Sequence, residues 1–171
     1  MALALSLVFR DEAVAEVRAL WSSLADAGIS RDMLDLGYPP HLTLVVADDD
    51  GAENAMRHAL QAAEGRAVTI RLGGVDRFEG TPVVWLACDG GEGLKSLHSD
   101  IAAQMPLQAI RPYYRPGQWT PHMTLQTTGD PEAAVALARE LWQATSILPA
   151  AKLEMARFLP VQVLAAVALT G

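Results

Sequence analysis

Two short stretches decide how this chain is organised: Pro40-His41-Leu42-Thr43-Leu44 and Pro121-His122-Met123-Thr124-Leu125. Their apolar and β-branched residues predict two β-strands. Side chains two positions apart in a strand share a face, so each stretch presents a histidine and a threonine together. The aliphatic residues between them then point to the opposite face, where we expect helices to pack.

The segments around the two motif strands follow one order. Strand patterns begin at Leu3 and again at Val83, 80 positions later, and the two motif histidines lie 81 positions apart. Helical spacing, alternation and turn residues predict β-α-β-α-β in each half, and a further strand after Pro160 that forms a hairpin with the last strand of the second half. The sequence therefore predicts an α+β fold in duplicated form: one bilobal domain over 1–171, with lobe 1 at roughly 1–80 and lobe 2 at roughly 81–171.

Capping residues and glycines predict several element boundaries. Asp11 is a suitable N-cap for the first helix, and Asp130 followed by Pro131 is a strong start signal for the last one. The Gly73-Gly74 pair lacks the spacing of a phosphate-binding loop and predicts a turn or a bulge.

Composition limits the class of partner. The net charge is −7, whereas a tight hold on long nucleic acid requires many lysines and arginines, so we expect a small anion or one RNA end instead. The single cysteine, Cys88, lies in an apolar strand pattern and suits a reducing compartment. Neither apolar terminus has the features of a signal peptide or the length of a membrane span. A cytoplasmic protein without a membrane partner is expected.

The duplicated histidine and threonine suit chemistry at phosphorus. In-line displacement needs a base on the nucleophile side and an acid on the leaving-oxygen side, and two histidines, one neutral and one protonated, supply both. Thr43 and Thr124 would hold the non-bridging oxygens. Neither motif contains a Cys, Asp or Glu at ligand spacing, so we expect no metal site and no cofactor.

The paired motifs resemble the signature of the 2H phosphoesterase superfamily, and within it the chain is most similar to the 2′-5′ RNA ligase and cyclic phosphodiesterase group. The resemblance spans essentially the whole chain, including Arg77-Phe78, but only the two motifs are specific. It implies two antiparallel sheets facing a central cleft, with helices outside. It also implies metal-independent hydrolysis of a 2′,3′-cyclic or related cyclic phosphodiester, with His41 and His122 as catalytic residues.

Other aromatic and basic residues near the motifs are further candidates for substrate binding. Tyr114, Arg115 and Trp119 precede the second motif, and Tyr38 precedes the first. They could pair with phosphate or stack on a base, or they could belong to an ordered loop that covers the edge of a lobe. His58 and His98 are interpreted as surface or packing residues without a function.

Two other functions stay open on the sequence alone. The chain could be a binding module that senses a nucleotide or cyclic phosphate without turnover, or it could have 2′-5′ RNA ligase activity, the reverse of the same chemistry. The sequence specifies neither the substrate nor which histidine is the base, nor the oligomeric state.

Overall fold

The computed structural model describes residues 2–48, 50–143 and 146–170. Within these ranges the strands and α-helices follow the predicted order, with one short additional α-helix, α2, before the first motif. The strands are β1 (Ala2–Phe9), β2 (His41–Ala47), β3 (Thr69–Arg77), β4 (Val84–Asp89), β5 (His122–Gln126), β6 (Ile147–Phe158) and β7 (Gln162–Ala168). The helices are α1 (Ala15–Asp26), α2 (Asp32–Asp35), α3 (Glu53–Ala62), α4 (Gly91–Ala103) and α5 (Pro131–Leu141).

The strands form one antiparallel sheet in the order β1-β2-β5-β4-β3-β6-β7. Because β6 also pairs with β1, six of these strands close into a ring. The expectation of two separate sheets is corrected here. The β2-β1-β6 and β5-β4-β3 strands would make up the two expected sheets. They are joined by the pairing of Leu42 with Met123 on one side and of Thr69–Arg71 with Ile147–Pro149 on the other.

Elements from the two halves of the sequence interleave in space. β1 pairs with β6, and β3 pairs with β4. Two ion pairs repeat this exchange: Arg77 at the end of β3 contacts Glu132 in α5, and Arg157 near the end of β6 lies 3.4 Å from Glu53 in α3. The two halves of the chain therefore complete each other's strand pairing.

A single hydrophobic core lies between the sheet and the helices. Leu42, Leu44, Met123 and Leu125 of the motif strands are buried in it. They pack in one cluster with helical residues, which include Leu20, Trp21, Met56, Leu60, Leu94, Leu97 and Ala138. No helix among the described residues is long and apolar enough to cross a membrane.

Local signals predicted most boundaries, with one error. Asp130 caps α5 as predicted, accepting a 3.1 Å hydrogen bond from the backbone N–H of Ala133. Gly73-Gly74 lie at a register shift of β3 against β4, which is the predicted bulge. Asp11 is not an N-cap: residues 11–14 form a turn, α1 begins at Ala15, and the carboxylate of Asp11 accepts a 3.0 Å hydrogen bond from Arg18 instead.

Candidate active site

The two motif strands meet at one point. β2 and β5 are antiparallel and pair through Leu42 opposite Met123, the second residue of each motif. In an antiparallel pair the next positions run in opposite directions, so His41 is level with Thr124 and Thr43 is level with His122. In the register of the two strands, each histidine is thus level with the threonine of the other motif. The two histidines lie on a diagonal, for which the ordinary Cα spacing is about 7–8 Å.

Burial alternates along both motif strands. His41, Thr43, His122 and Thr124 are partly exposed, whereas the intervening aliphatic residues are fully buried. This alternation is the period of two that the sequence predicted. The predicted separation of the ring nitrogens, on the order of 5–8 Å, stays a prediction.

Both imidazole rings are oriented by the same backbone contact. Nδ1 of His41 donates to the carbonyl of Pro39 at 2.8 Å, and Nδ1 of His122 donates to the carbonyl of Thr120 at 2.7 Å. A carbonyl only accepts, so the Nδ1 atom carries the hydrogen in each neutral ring. The Nε2 atom of each histidine then has a free lone pair and serves equally as a base or, once protonated, as an acid.

Burial disfavours a charge on either ring. It lowers the pKa of His41 to about 4, against a smaller opposite effect of the Pro39 carbonyl, and a positive charge on His122 lowers it further. Burial also lowers the pKa of His122, while the Thr120 carbonyl acts in the other direction. Both lowered pKa values favour neutral rings at pH 7 in the free protein.

An indole N–H group holds the backbone of each motif threonine. Nε1 of Trp119 donates to the carbonyl of Thr43 at 3.0 Å, and Nε1 of Trp21 donates to the carbonyl of Thr124 at 3.1 Å. Both carbonyls belong to the residue just after the pairing of Leu42 with Met123, where β2 and β5 separate. The tryptophans satisfy backbone acceptors that the ladder no longer reaches.

Aromatic rings flank both histidines. Phe158 lies 6.4 Å from His41 between ring centres, and Phe78 lies 5.1 Å from His122. Sequence reasoning overlooked Phe158. The available signal was the dipeptide Arg-Phe, which occurs at 77–78 and again at 157–158, with nearly the same offset as the motifs.

Of the four further candidates, only Tyr38 is in contact with a motif histidine. Its ring packs edge-on against His41 at 4.8 Å, but its hydroxyl is engaged by Glu154. Trp119 contacts the motif through its bond to Thr43 and stacks on His98 at 4.0 Å between ring centres. His98 is buried, which agrees with the packing alternative of its interpretation as a surface or packing residue.

Arg115 and Tyr114 lie elsewhere on the loop before the second motif. Nε of Arg115 donates to the carbonyl of Ile110, which is itself paired with Ala47 at the far end of β2 from His41. The carbonyl of Tyr114 accepts a 2.9 Å hydrogen bond from His98. The structure does not bring the Arg115 guanidinium beside the histidines. This loop covers the edge of β2.

Acidic, sulfur and imidazole side chains do not cluster around the motifs. Within residues 2–48, 50–143 and 146–170, no group of three or more His, Cys, Asp and Glu side chains could hold a metal ion. Cys88 is buried, and burial raises the pKa of its thiol.

Comparisons with known proteins identify a family and a shared fold. The family model described as the 2′-5′ RNA ligase superfamily matches residues 9–159. Among solved structures, Escherichia coli LigT in complex with 3′-AMP is 17% identical, with a TM-score of 0.67 over 99% of this chain and 98% of that chain. The protein TT0787 of Thermus thermophilus is 20% identical, with a TM-score of 0.63 over 100% and 99% of the two chains.

A third solved structure is more distant. Kluyveromyces marxianus Usb1 with uridine monophosphate is 13% identical, with a TM-score of 0.51 over 98% of this chain and 97% of that chain. A search of curated proteins found no match.

Proposed function

Because the chain belongs to the 2′-5′ RNA ligase superfamily, we propose that it is a metal-independent phosphoesterase that hydrolyses a cyclic phosphodiester through His41 and His122. One observation carries the proposal. Both histidines have Nδ1 fixed on a backbone carbonyl, and each is level with the threonine of the other motif. Two equivalent, oppositely placed proton carriers are what displacement at phosphorus requires.

The reaction begins with a cyclic phosphodiester between the two motifs. One histidine takes a proton from water through Nε2, and the water oxygen forms a new bond to phosphorus. The bond between phosphorus and one ribose oxygen breaks, and the other histidine, protonated on Nε2, gives its proton to that oxygen. Thr43 and Thr124 donate hydrogen bonds to the non-bridging oxygens as their charge increases. Either histidine can serve as the base.

The substrate itself contributes to the protonation of the pair. A cyclic phosphodiester carries a negative charge, and an anion beside an imidazole favours its charged form. Substrate binding should therefore raise the lowered pKa values of His41 and His122 and place one proton on the pair. The protonated histidine that acts as the acid would therefore form when the substrate binds.

The substrate class we propose is a 2′,3′-cyclic nucleotide or a single RNA end. Relatives of similar fold have been crystallised with 3′-AMP and with uridine monophosphate. The net charge of −7 argues against a long nucleic acid. We place the substrate in a cleft between the β2-β1-β6 and β5-β4-β3 parts of the sheet, and the protein in the cytoplasm, where its buried thiol would stay reduced.

A second candidate function is binding without turnover. The lowered pKa of both histidines favours it, because a ring that stays neutral with ligand bound cannot act as an acid. Ligase activity is the reverse reaction of the same site and would need two RNA ends, which an acidic protein attracts poorly.

The test is turnover of nucleoside 2′,3′-cyclic monophosphates in the presence of EDTA, with the nucleoside monophosphate product separated by chromatography. We expect product at a rate that EDTA leaves unchanged. Binding without product would favour the second candidate. Loss of activity in EDTA and its return with zinc or manganese would contradict the metal-independent mechanism.

A further inference from the structure

The indole N–H of Trp85 is a buried hydrogen-bond donor near the motifs that has no partner among the described residues. The chain has four tryptophans, all within the described residues. Three of their indole N–H groups donate to backbone carbonyls: Trp21 to Thr124, Trp119 to Thr43, and Trp142 to Gly73 at 2.9 Å. Nε1 of Trp85 is buried and makes no hydrogen bond to any described residue. A buried N–H without an acceptor costs free energy, so its retention needs a reason.

The location of Trp85 supplies a reason. Trp85 lies in β4 directly opposite Thr124, so its side chain is on the face that carries the motif residues. The centre of its indole is 5.9 Å from the centre of the His122 ring and 5.2 Å from that of Phe78. The residue is 7% exposed. The unpaired donor is therefore adjacent to the site and not deep in the core.

The residue at the equivalent position beside the first motif offers a comparison. Ser6 in β1 lies opposite Thr43, just as Trp85 in β4 lies opposite Thr124, and Ser6 also bears a hydrogen-bonding group. The Ser6 and Thr43 hydroxyl oxygens are 3.2 Å apart, so that group already has a partner. Filling of space alone does not explain Trp85, because a phenylalanine would fill much of the same volume without an unpaired N–H.

We propose that Trp85 is a substrate-contacting residue whose indole N–H donates a hydrogen bond to a phosphoryl oxygen on the His122 side. This rests on the proposed function, since the oxygen belongs to the bound phosphodiester. The N–H is covered in the free protein. We therefore expect Phe78, which is half-exposed and packs on both His122 and Trp85, to turn aside when substrate enters. The phosphoryl group would then have three donors: Thr43, Thr124 and Trp85.

The direct test follows the indole N–H signals by NMR in the ¹⁵N-labelled wild-type protein. The spectra of Trp85→Phe and Trp142→Phe assign two of the four signals by their loss. On titration with a nucleoside 2′-monophosphate, we expect the Trp85 signal to move downfield and saturate, while the Trp142 signal stays in place. A Trp85 signal that does not move while the imidazole signals of His41 and His122 report binding overturns the assignment, and so does the absence of any response.

The same two variants separate a substrate contact from packing. Trp85→Phe should lower kcat/KM at least about tenfold for a cyclic phosphate, with Tm unchanged or raised because an unpaired donor is removed. Trp142→Phe removes a donor whose acceptor, the carbonyl of Gly73, lies in β3, two strands away from β5, so Tm should fall with kcat/KM unchanged. A Trp85→Phe variant with kcat/KM within twofold of wild type overturns the proposal.

Failure of the proposed function would look different. If the wild-type protein converts no cyclic phosphate but its Trp85 signal still responds to the nucleotide, the phosphoesterase proposal fails and the contact to Trp85 stands. If cyclic phosphates are converted and both Trp85 measurements are negative, the opposite holds.

Discussion

The hydroxyl of Tyr38 donates a 2.9 Å hydrogen bond to the carboxylate of Glu154, although 116 positions separate the two residues. Both side chains are buried, and Nζ of Lys152 lies 3.9 Å from the other carboxylate oxygen. Burial, together with the Glu154 charge, raises the pKa of Tyr38, so its hydroxyl stays a donor. The bond ties the segment that leads into the first motif strand to the middle of β6.

Tyr38→Phe should lower the free energy of unfolding by about 1–3 kcal/mol, because the buried carboxylate of Glu154 loses a donor. The ring against His41 is retained, so kcat/KM should change by no more than about threefold. Urea denaturation and steady-state kinetics measure the two effects. Tyr113→Phe is the control, since Tyr113 is 81% exposed and should change neither. Unchanged stability with a raised KM would mean that the Tyr38 hydroxyl contacts substrate.

His41→Ala and His122→Ala should each lower kcat by roughly 10²–10⁴, the ordinary effect of one general acid or base. Residues that act on one displacement are non-additive, so the double variant should be little worse than the poorer single variant. His58→Ala, at an exposed position of α3, is the control for loss of an imidazole. Near-normal turnover by a folded single variant would refute the two-histidine mechanism.

Thr43→Ala and Thr124→Ala should lower kcat/KM about ten- to a hundredfold, since each removes one hydrogen bond of about 1.5–3 kcal/mol to a charged phosphate. Only Thr43 also contacts another hydroxyl, that of Ser6. Thermal melts should therefore detect a small additional loss of stability in Thr43→Ala alone. A variant whose activity is lost in proportion to its folded fraction would indicate a structural role instead.

The lowered pKa values predict an acidic optimum for kcat/KM. The active free form needs one proton on the histidine pair, and burial lowers the pKa of His41 to about 4 and also that of His122. Since both pKa values lie below 6.5, kcat/KM should reach its maximum below that pH and fall about tenfold per pH unit above it. Bound substrate raises the pKa values, so the falling limb of kcat should lie at higher pH. Rates of cyclic phosphate hydrolysis between pH 4 and 9 measure both limbs, and a flat kcat/KM profile would exclude a proton-carrying pair.

Local patterns predicted the elements and the two motifs because these depend on neighbours in the sequence. A period of two decided which side of β2 and β5 faces the core, and Asp130-Pro131 fixed the start of α5. The prediction that Asp11 caps α1 was wrong because a side chain that suits an N-cap can also form other hydrogen bonds. The turn at residues 11–14 and the ion pair with Arg18 involve the same short segment, and propensity does not decide between them.

The long-range part of the site was beyond reach of local patterns. That Trp21 of α1 would hold Thr124 depends on how elements of the two halves interleave, and hydrophobic periodicity carries no information on which strands become neighbours. The single pairing of Leu42 with Met123 likewise belongs to the assembled sheet. The lowered pKa values of the two histidines were equally beyond local patterns, because burial of a ring is a property of the folded chain.

The pairing of β1 with β6 has a consequence for synthesis of the protein on the ribosome. β1 is made before the other strands of the ring, and one of its two neighbours, β6, emerges after all of them. In a nascent chain that ends near residue 80, the edge of β1 that will later pair with β6 has unpaired backbone N–H and C=O groups. Such an edge can pair with other chains and cause aggregation. Closure of the ring must await β6, so a fragment of residues 1–80 should not fold alone, and chaperone capture should peak before β6 emerges.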